Sequence, residues 1–231
     1  MEELPVLEQV VVTNRVIEET ARRVSGSGGP SLANSKHWFD CLINYSSASA
    51  SLRETVAKCA SWLANTIVPW EKVSALFACR LIALEKKLGV RPIGIGETLR
   101  RILAKCLTAV VGEDLEDVFG SEQLAGGLEG GIEASIHAIN DVFNEKSSQG
   151  HGLMLLDAAN AFNSVNRKAA LLNARRECPR ASSFLFNSYQ SPSELFVQGS
   201  NESLFSYEGT TQGDPLSMLF YGMALMQCYG D

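Results

Sequence analysis

The pattern of apolar and polar positions predicts a helix-rich N-terminal half. Apolar side chains recur there at helical spacing in four segments: 6–24, 35–46, 51–67 and 70–77. The clearest single stripe consists of Leu52, Val56, Cys59, Leu63 and Ile67. Residues 25–30 are mainly glycine and serine, so we expect a flexible linker there and a boundary near residue 30.

A β-hairpin and an amphipathic helix are predicted next. Two β-like runs, 80–84 and 90–95, are joined by a basic turn at 85–89, and Pro92 indicates that the second run is an edge strand. The segment 97–111 then has helical periodicity. Its apolar face is formed by Leu99, Ile102, Leu103, Cys106, Leu107 and Val110, and its polar face by Arg100, Arg101 and Lys105.

The C-terminal half mixes short strands with helices. A glycine-rich stretch at 124–131 lacks the spacing of a phosphate-binding loop, so we interpret it as a connection. The predicted elements after it are a helix at 132–145, a strand at 151–156, helices at 165–177 and 181–189, a hairpin of 194–198 and 204–207, and a helix at 215–227. Asp214 is predicted to cap this last helix. Without a regular βαβ alternation, the class predicted is α+β.

Composition excludes several classes of protein. With 231 residues and 45% apolar side chains, the chain can bury a sizeable core. No run approaches the roughly 18 apolar residues of a membrane span, and the N-terminus lacks a basic signal-peptide start. We therefore expect a soluble, intracellular protein with no membrane partner, its compartment and oligomeric state left open. The six cysteines and three histidines are scattered, which favours buried free thiols over a zinc site.

Charge is unevenly distributed along the chain. The net charge is -6, yet residues 80–106 contain seven basic and two acidic residues, a balance of +5 that leaves -11 for the rest. A single basic segment in an otherwise acidic chain is typical of a protein that binds phosphates at one site. A solvated helix face next to a hairpin explains the same charges equally well.

Asp157 is the strongest candidate for chemistry. It follows the apolar run 151–156, and a carboxylate at the end of a buried strand is costly unless it meets a cation such as Mg²⁺. Nucleotidyl transfer uses carboxylates that bridge two such ions. A helix cap or turn residue is the ordinary alternative for a lone aspartate in this position.

Two spaced motifs make this reading more specific. The run Asp-x-x-x-Ala-Phe-Asn-Ser-Val begins at Asp157, and Gln-Gly-Asp-Pro-Leu begins some fifty residues later at Gln212. Together they resemble motifs A and B of reverse transcriptases from non-LTR retrotransposons and related elements. Residues 80–86 and 90–102 are similar to the fingers motifs of that family, and the likeness extends over roughly 28–231.

The resemblance implies a right-hand polymerase architecture. Residues 30–150 would form a fingers-like region, and 151–231 a partial palm that carries motifs A and B. Residues 1–29 would be an N-terminal helix and linker, and the thumb would be absent. The strands would be short and antiparallel.

The resemblance also assigns roles to the motif A residues. Asp157 would be the catalytic carboxylate and a metal ligand, and the carbonyl of Ala158 would bind the same Mg²⁺, or Mn²⁺ in its place. The amides of Asn160 and Ala161 would face the triphosphate. Phe162 would exclude a 2′-hydroxyl and so select dNTPs, unless it is simply a core phenylalanine.

Further roles fall on the hairpin and on motif B. Lys86 and Arg91 would clasp the β and γ phosphates, with Lys87 as a substitute for Lys86. Gln212 and Gly213 would lie beside the nascent base pair. The implied partners are an RNA template, a DNA primer and dNTPs.

One family feature is missing from the sequence. Motif C, an aromatic-x-Asp-Asp hairpin, has no counterpart, because no adjacent Asp pair follows Asp157 and Tyr229–Gly–Asp231 is interpreted as a helix end. We therefore expect a fragment of an RNA-directed DNA polymerase, truncated before motif C, that does not polymerise alone. A non-catalytic RNA-binding or interaction protein derived from such a domain, or a relic without function, stays open.

Overall fold

The computed structural model describes residues 4–87, 89–120, 130–211 and 213–226, and it has the predicted α+β class. The helices are α1 (Asn14–Arg23), α2 (Ser35–Ile43), α3 (Ser46–Asn65), α4 (Trp70–Phe77), α5 (Thr98–Val110), α6 (Gly112–Phe119), α7 (Gly131–Lys146), α8 (Ala161–Ser164), α9 (Arg167–Glu177), α10 (Pro179–Tyr189) and α11 (Ser217–Leu225). The strands are β1 (Cys79–Lys86), β2 (Gly89–Gly96), β3 (Ser193–Val197) and β4 (Ser203–Ser206).

The first helix begins later than predicted. Residues 4–13 are not helical, and Thr13 caps α1 by accepting a hydrogen bond from the amide of Val16. The segment before it is tied to α3, because the Asn65 amide bonds both the N–H and the C=O of Val10, at 2.8 and 2.7 Å. Val10 and Val12 are buried while Val11 is 58% exposed, so the valine run follows the two-residue alternation of extended chain.

The helices predicted at 35–46, 51–67 and 70–77 are present as α2, α3 and α4. A break at Ser46, which has a left-handed φ of 47°, separates α2 from α3 and makes α3 begin earlier than expected. Asn187 of α10 binds backbone groups at the C-terminal end of α3. Its side chain donates to the carbonyls of Leu63 and Thr66 and accepts from the amide of Val68.

The four strands form one mixed sheet in the order β2-β1-β3-β4. Both hairpins are antiparallel as predicted, and β2, with Pro92, lies at an edge. The prediction of antiparallel pairing throughout is wrong at one join, because β1 and β3 run parallel. This join links strands far apart in sequence, with helices α5 to α10 between them, so no local turn dictates its direction. The first hairpin is also longer than predicted, since Lys86 pairs with Gly89.

The predicted strand at 151–156 is not formed. Residues 151–158 are irregular and exposed, and they make no backbone hydrogen bond to another described residue. Leu155 and Leu156 are more than 80% exposed. An apolar run becomes a strand only beside a strand that satisfies its backbone groups, and none of the strands β1–β4 lies there.

The core is a single cluster of buried side chains drawn from most of the helices, with Phe77, Phe184 and Phe220 among its largest members. All five cysteines of the described segments are free, and Cys79, Cys106 and Cys178 are buried. None of the described helices is long and apolar enough to cross a membrane.

Candidate functional site

The described residues of the segment 209–213, here called the 209–213 loop, pack directly against the segment that follows Asp157. The amide of Gly209 donates to the carbonyl of Val165 at 2.9 Å, and the amide of Thr210 donates to that of Phe162 at 2.6 Å. Gly209 has a φ of 64°, and a Cβ at this position would lie 2.3 Å from the Phe162 oxygen. Only glycine fits this approach, so the two sequence motifs are in backbone contact.

The same loop contacts the first hairpin on its other side. A Cβ at Gly94 of β2 would lie 1.9 Å from Cγ2 of Thr211, and one at Gly213 would lie 2.9 Å from the carbonyl oxygen of Gly94. Gly213 has a φ of 107°. Because Gly213 has no side chain, its backbone approaches β2 closely in this structure. The contact of Gly213 with a template base stays a prediction. Gln212 lies outside the described residues.

A buried ion pair anchors the loop where it enters α11. The Arg100 guanidinium and the Tyr189 hydroxyl both donate to Oδ2 of Asp214, and Oδ1 accepts from the amide of Leu216 at 3.1 Å. The side chains of Arg100 and Asp214 are 4% and 1% exposed. The predicted N-cap is thus displaced: α11 begins at Ser217, and Asp214 shapes the turn before it while binding a cation.

Electrostatics within this cluster follow from its burial. Burial is the largest single influence on the pKa of Arg100 and lowers it, but the charge of and hydrogen bond to Asp214, together with Tyr189 and Cys79, outweigh burial and raise that pKa above its usual value. Burial, and then the Asp214 charge, raise the pKa of the Tyr189 hydroxyl well above 10. The arginine is therefore charged and the tyrosine protonated at neutral pH, which is the arrangement that satisfies the carboxylate.

Arg167 also holds the 209–213 loop in place, through hydrogen bonds of its guanidinium. Its guanidinium donates to the carbonyls of Gly209 at 2.8 Å and Ser191 at 3.3 Å and to the hydroxyl of Ser206 at 3.0 Å, and it lies 5.5 Å from the centre of the Tyr189 ring. Burial lowers its pKa. One arginine thereby joins the loop to β4 and to the end of α10.

Sequence reasoning missed both arginines. Arg100 was expected on the polar face of its helix, yet it is 3% exposed and its ring neighbours are Phe77 and Tyr189. The signal was present, because Arg100 precedes Leu103 and Leu107 by three and seven residues and so shares their apolar face.

Part of the basic segment 80–106 binds backbone groups of the protein itself. Arg101 donates to the carbonyls of Ser25 and Ser27 at 2.9 and 2.5 Å, so residues predicted as a flexible linker are held against α5. Arg80 donates to the carbonyl of Gly28 at 3.0 Å. With Arg100 buried, the cations of this segment left exposed are Lys86, Lys87, Arg91 and Lys105.

Lys86 and Arg91 are exposed on one face of the first hairpin. Leu84 pairs with Arg91 and Lys86 with Gly89, so both charged side chains project on the same side. Pro92 and Gly94 belong to the opposite side, which borders a cleft of about 340 Å³ beside Asn163 and Thr211. No hydrogen bond or ion pair in the described part of the chain links Lys86 or Arg91 to residues 157–162.

Asp157 and the residues after it are arranged around a short helix. Asp157 and Ala158 are exposed, and Asn160 is left-handed (φ 52°) at the start of α8, where its carbonyl accepts from the amide of Asn163. Ala161 and Phe162 are half-buried, and the Phe162 ring lies 5.2 Å from that of Tyr221.

Asp157 by itself does not form a metal site. Across the described segments, no group of three or more His, Cys, Asp or Glu side chains is placed to hold an ion. One carboxylate and one backbone carbonyl do not balance two adjacent divalent cations. The residues present therefore fit part of a two-metal centre and do not complete one.

The chain matches no protein-family model, and no curated protein is significantly similar to it.

Proposed function

We propose that the chain forms the fingers and part of the palm of an RNA-directed DNA polymerase of the non-LTR retrotransposon type. Its chemistry would be the transfer of dNTPs to a primer 3′-hydroxyl opposite an RNA template. The observation that supports this proposal is the contact of three segments distant in sequence, of Gly209 with Phe162 and of Thr211 with Gly94. These segments carry the fingers, motif A and motif B resemblances.

In this proposal Asp157 and the Ala158 carbonyl contribute to binding Mg²⁺ or Mn²⁺. The ions would neutralise charge on the triphosphate, but their mutual repulsion requires further carboxylates. No adjacent Asp pair follows Asp157 in the sequence. The chain alone is therefore expected to be inactive.

The remaining residues would orient the nucleotide. Lys86 and Arg91 are exposed but project from the hairpin face opposite the cleft beside Asn163 and Thr211, so their role as phosphate ligands rests on the resemblance. The Phe162 ring, backed by Tyr221, would exclude a 2′-hydroxyl. The amides of Asn160 and Ala161 would face the triphosphate. Gln212 and Gly213 would lie against the base pair.

Nucleotide binding tests this assignment without requiring catalysis. With Mg²⁺ present, we expect the chain to bind a fluorescent dNTP more tightly than the matching rNTP, and Phe162→Ala to narrow that preference. Phe186→Ala is the matched control, because Phe186 is 38% exposed on α10, outside the proposed site. Equal binding of dNTP and rNTP by the unmodified chain would refute the role of Phe162.

Metal dependence tests Asp157. Asp157→Asn should weaken the Mg²⁺-dependent part of dNTP binding, whereas Asp141→Asn, at an exposed position on α7, should not. A primer-extension assay with Mg²⁺ and dNTPs should give no product with the isolated chain. Template-dependent synthesis would contradict the expected inactivity, and its loss in Asp157→Ala would still identify the carboxylate.

A second candidate function is RNA binding without catalysis. It is favoured by the exposed cluster Lys86, Lys87 and Arg91 on an otherwise acidic chain. If these three cations contact phosphates of a single strand, log K should fall with log salt at a slope of about -2. Neutralising all three should abolish binding, whereas Lys168→Ala, an exposed lysine on α9, should not. Salt-insensitive RNA binding would refute the role of these three cations, and the absence of RNA binding would exclude this function.

A further inference from the structure

A second cleft, of about 500 Å³, lies between α4 and the sheet. Phe196 of β3 and Phe205 of β4 line it from the sheet. In the register of these strands they alternate with Leu195 and Leu204, which border the cleft beside the 209–213 loop. The two clefts therefore use opposite faces of the sheet, and Phe205, on the edge strand, borders both.

Aromatic side chains form the walls of this cleft. Phe196 and Phe205 are 41% and 52% exposed, which is unusual for large apolar rings that share one sheet face. Trp70 contributes from the first position of α4 and is half-buried. Its ring stacks on Phe77 at a centroid distance of 5.8 Å and an interplanar angle of 14°, so its orientation is held by the core.

Two carboxylates accompany the rings. Glu194 pairs directly with Phe205 across the strands and precedes Phe196 by two residues, so all three side chains project from the same face. Glu97 stands at the rim, where its two oxygens accept from the amide and hydroxyl of Ser31 at 2.7 and 2.6 Å. Neither glutamate forms an ion pair with another described residue.

The neighbouring cations are already engaged. Arg101, whose charge interacts with that of Glu97, donates to the carbonyls of Ser25 and Ser27. Arg80 pairs with Phe196 in the parallel register of β1 and β3, but its guanidinium donates to Gln198 and to the carbonyl of Gly28. It does not line the cleft. The cleft is therefore aromatic and negatively charged, in contrast to the basic tip of the first hairpin.

We propose that this cleft binds an organic cation of the alkylated ammonium class, such as the head of a methylated lysine side chain. Aromatic ring faces attract cations, and an adjacent carboxylate adds Coulomb attraction. Methyl groups on the nitrogen also make contact with the rings. Ligands that carry phosphate are disfavoured by Glu97 and Glu194, so the site is distinct from the proposed nucleotide site and does not depend on it.

Two small molecules of equal shape separate charge from apolar contact. The probes are N-acetyl-trimethyllysine methylamide and its neutral carbon isostere, in which a carbon replaces the quaternary nitrogen, each titrated into the full chain and followed by NMR. We expect the cation to bind with a Kd of about 1 mM and the isostere about tenfold more weakly. Equal affinity would overturn the proposal in favour of a purely apolar groove, and so would no saturable shift up to about 10 mM.

Matched variants locate the binding. Glu194→Gln should weaken binding of the cation about tenfold without changing that of the isostere, whereas Glu202→Gln, exposed in the turn after β3, should change neither. Phe205→Leu should weaken binding of the cation, and Phe186→Leu on α10 should not. Because Phe205 and Glu194 are not buried, circular dichroism should confirm unchanged folding. Unaltered affinity in Glu194→Gln would refute the site.

Discussion

Replacement of Arg100 by methionine should destabilise the chain strongly. The substitution leaves the Asp214 carboxylate buried without its cation, and removing one partner of a buried ion pair typically costs about 3–5 kcal/mol. Tyr189 and the amide of Leu216 still donate to Asp214, which favours the lower end of that range. A loss of about 3 kcal/mol in a chain of this size lowers Tm by about 6–12 °C.

Urea unfolding followed by circular dichroism measures this loss. The control is Arg180→Met, which breaks the Arg180–Asp114 pair, where the atoms are 2.9 Å apart but the side chains are 27% and 32% exposed. Because water screens that pair, its loss should cost less than about 1 kcal/mol. Equal losses in the two variants would refute the claim that burial makes the Arg100 pair important.

A double variant separates charge from packing. Arg100 also stacks on Phe77 and Tyr189, so its removal loses contacts as well as charge. In Arg100→Met/Asp214→Asn the buried group is neutral, and we expect about 1–3 kcal/mol of the single variant's loss to be recovered. If Asp214→Asn lowers the stability of Arg100→Met by as much as it lowers that of the unmodified chain, the two changes are independent. Lost packing rather than the unpaired charge then explains the loss in Arg100→Met.

Three further stability predictions follow from the contacts of single residues. Burial raises the pKa of the Cys106 thiol from 9.0 to about 11. The contribution of this thiol to the free energy of unfolding is therefore fully present below pH 9 and is lost as the pH rises towards 11. By pH 10 the loss is about 1.4 kcal/mol. Cys106→Ala should therefore flatten the alkaline decline in urea midpoints, whereas Cys41→Ala, at an exposed thiol, should leave it unchanged. Gly209→Ala should lower the free energy of unfolding by more than about 2 kcal/mol, because Gly209 has a positive φ and an added Cβ would clash with backbone atoms. Gly112→Ala should be nearly neutral, because a Cβ there meets open space. Equal Tm values for the two variants would contradict this prediction. Asn187→Ala should cost about 3 kcal/mol by calorimetry, because three backbone groups, two of them in buried hydrogen bonds, lose their partner; a loss below about 1 kcal/mol would contradict that account.

Periodicity predicted the helices of the core well, because each buries an apolar stripe that the sequence displays. It failed where long-range contacts decide. Val10 and Val12 are extended because Asn65 and Ser61 of α3 bond their backbone. The spacing of Arg100 from Leu103 and Leu107 indicates its buried face, but the partner that neutralises its charge, Asp214, lies 114 residues later. Pairing between residues so distant has no local signature in a single sequence.

The candidate site is predicted least well where its parts lack contacts within the chain. The 209–213 loop is held by Arg100 through Asp214 and by Arg167 through Gly209, so its position follows from the core. Asp157 has no such support, because the segment before it bonds to no other described backbone. A strand there requires neighbours that satisfy its backbone groups and cover its apolar side chains. The geometry of the loop is therefore intrinsic to this chain, whereas the geometry of the Asp157 carboxylate depends on contacts that strands β1–β4 do not supply.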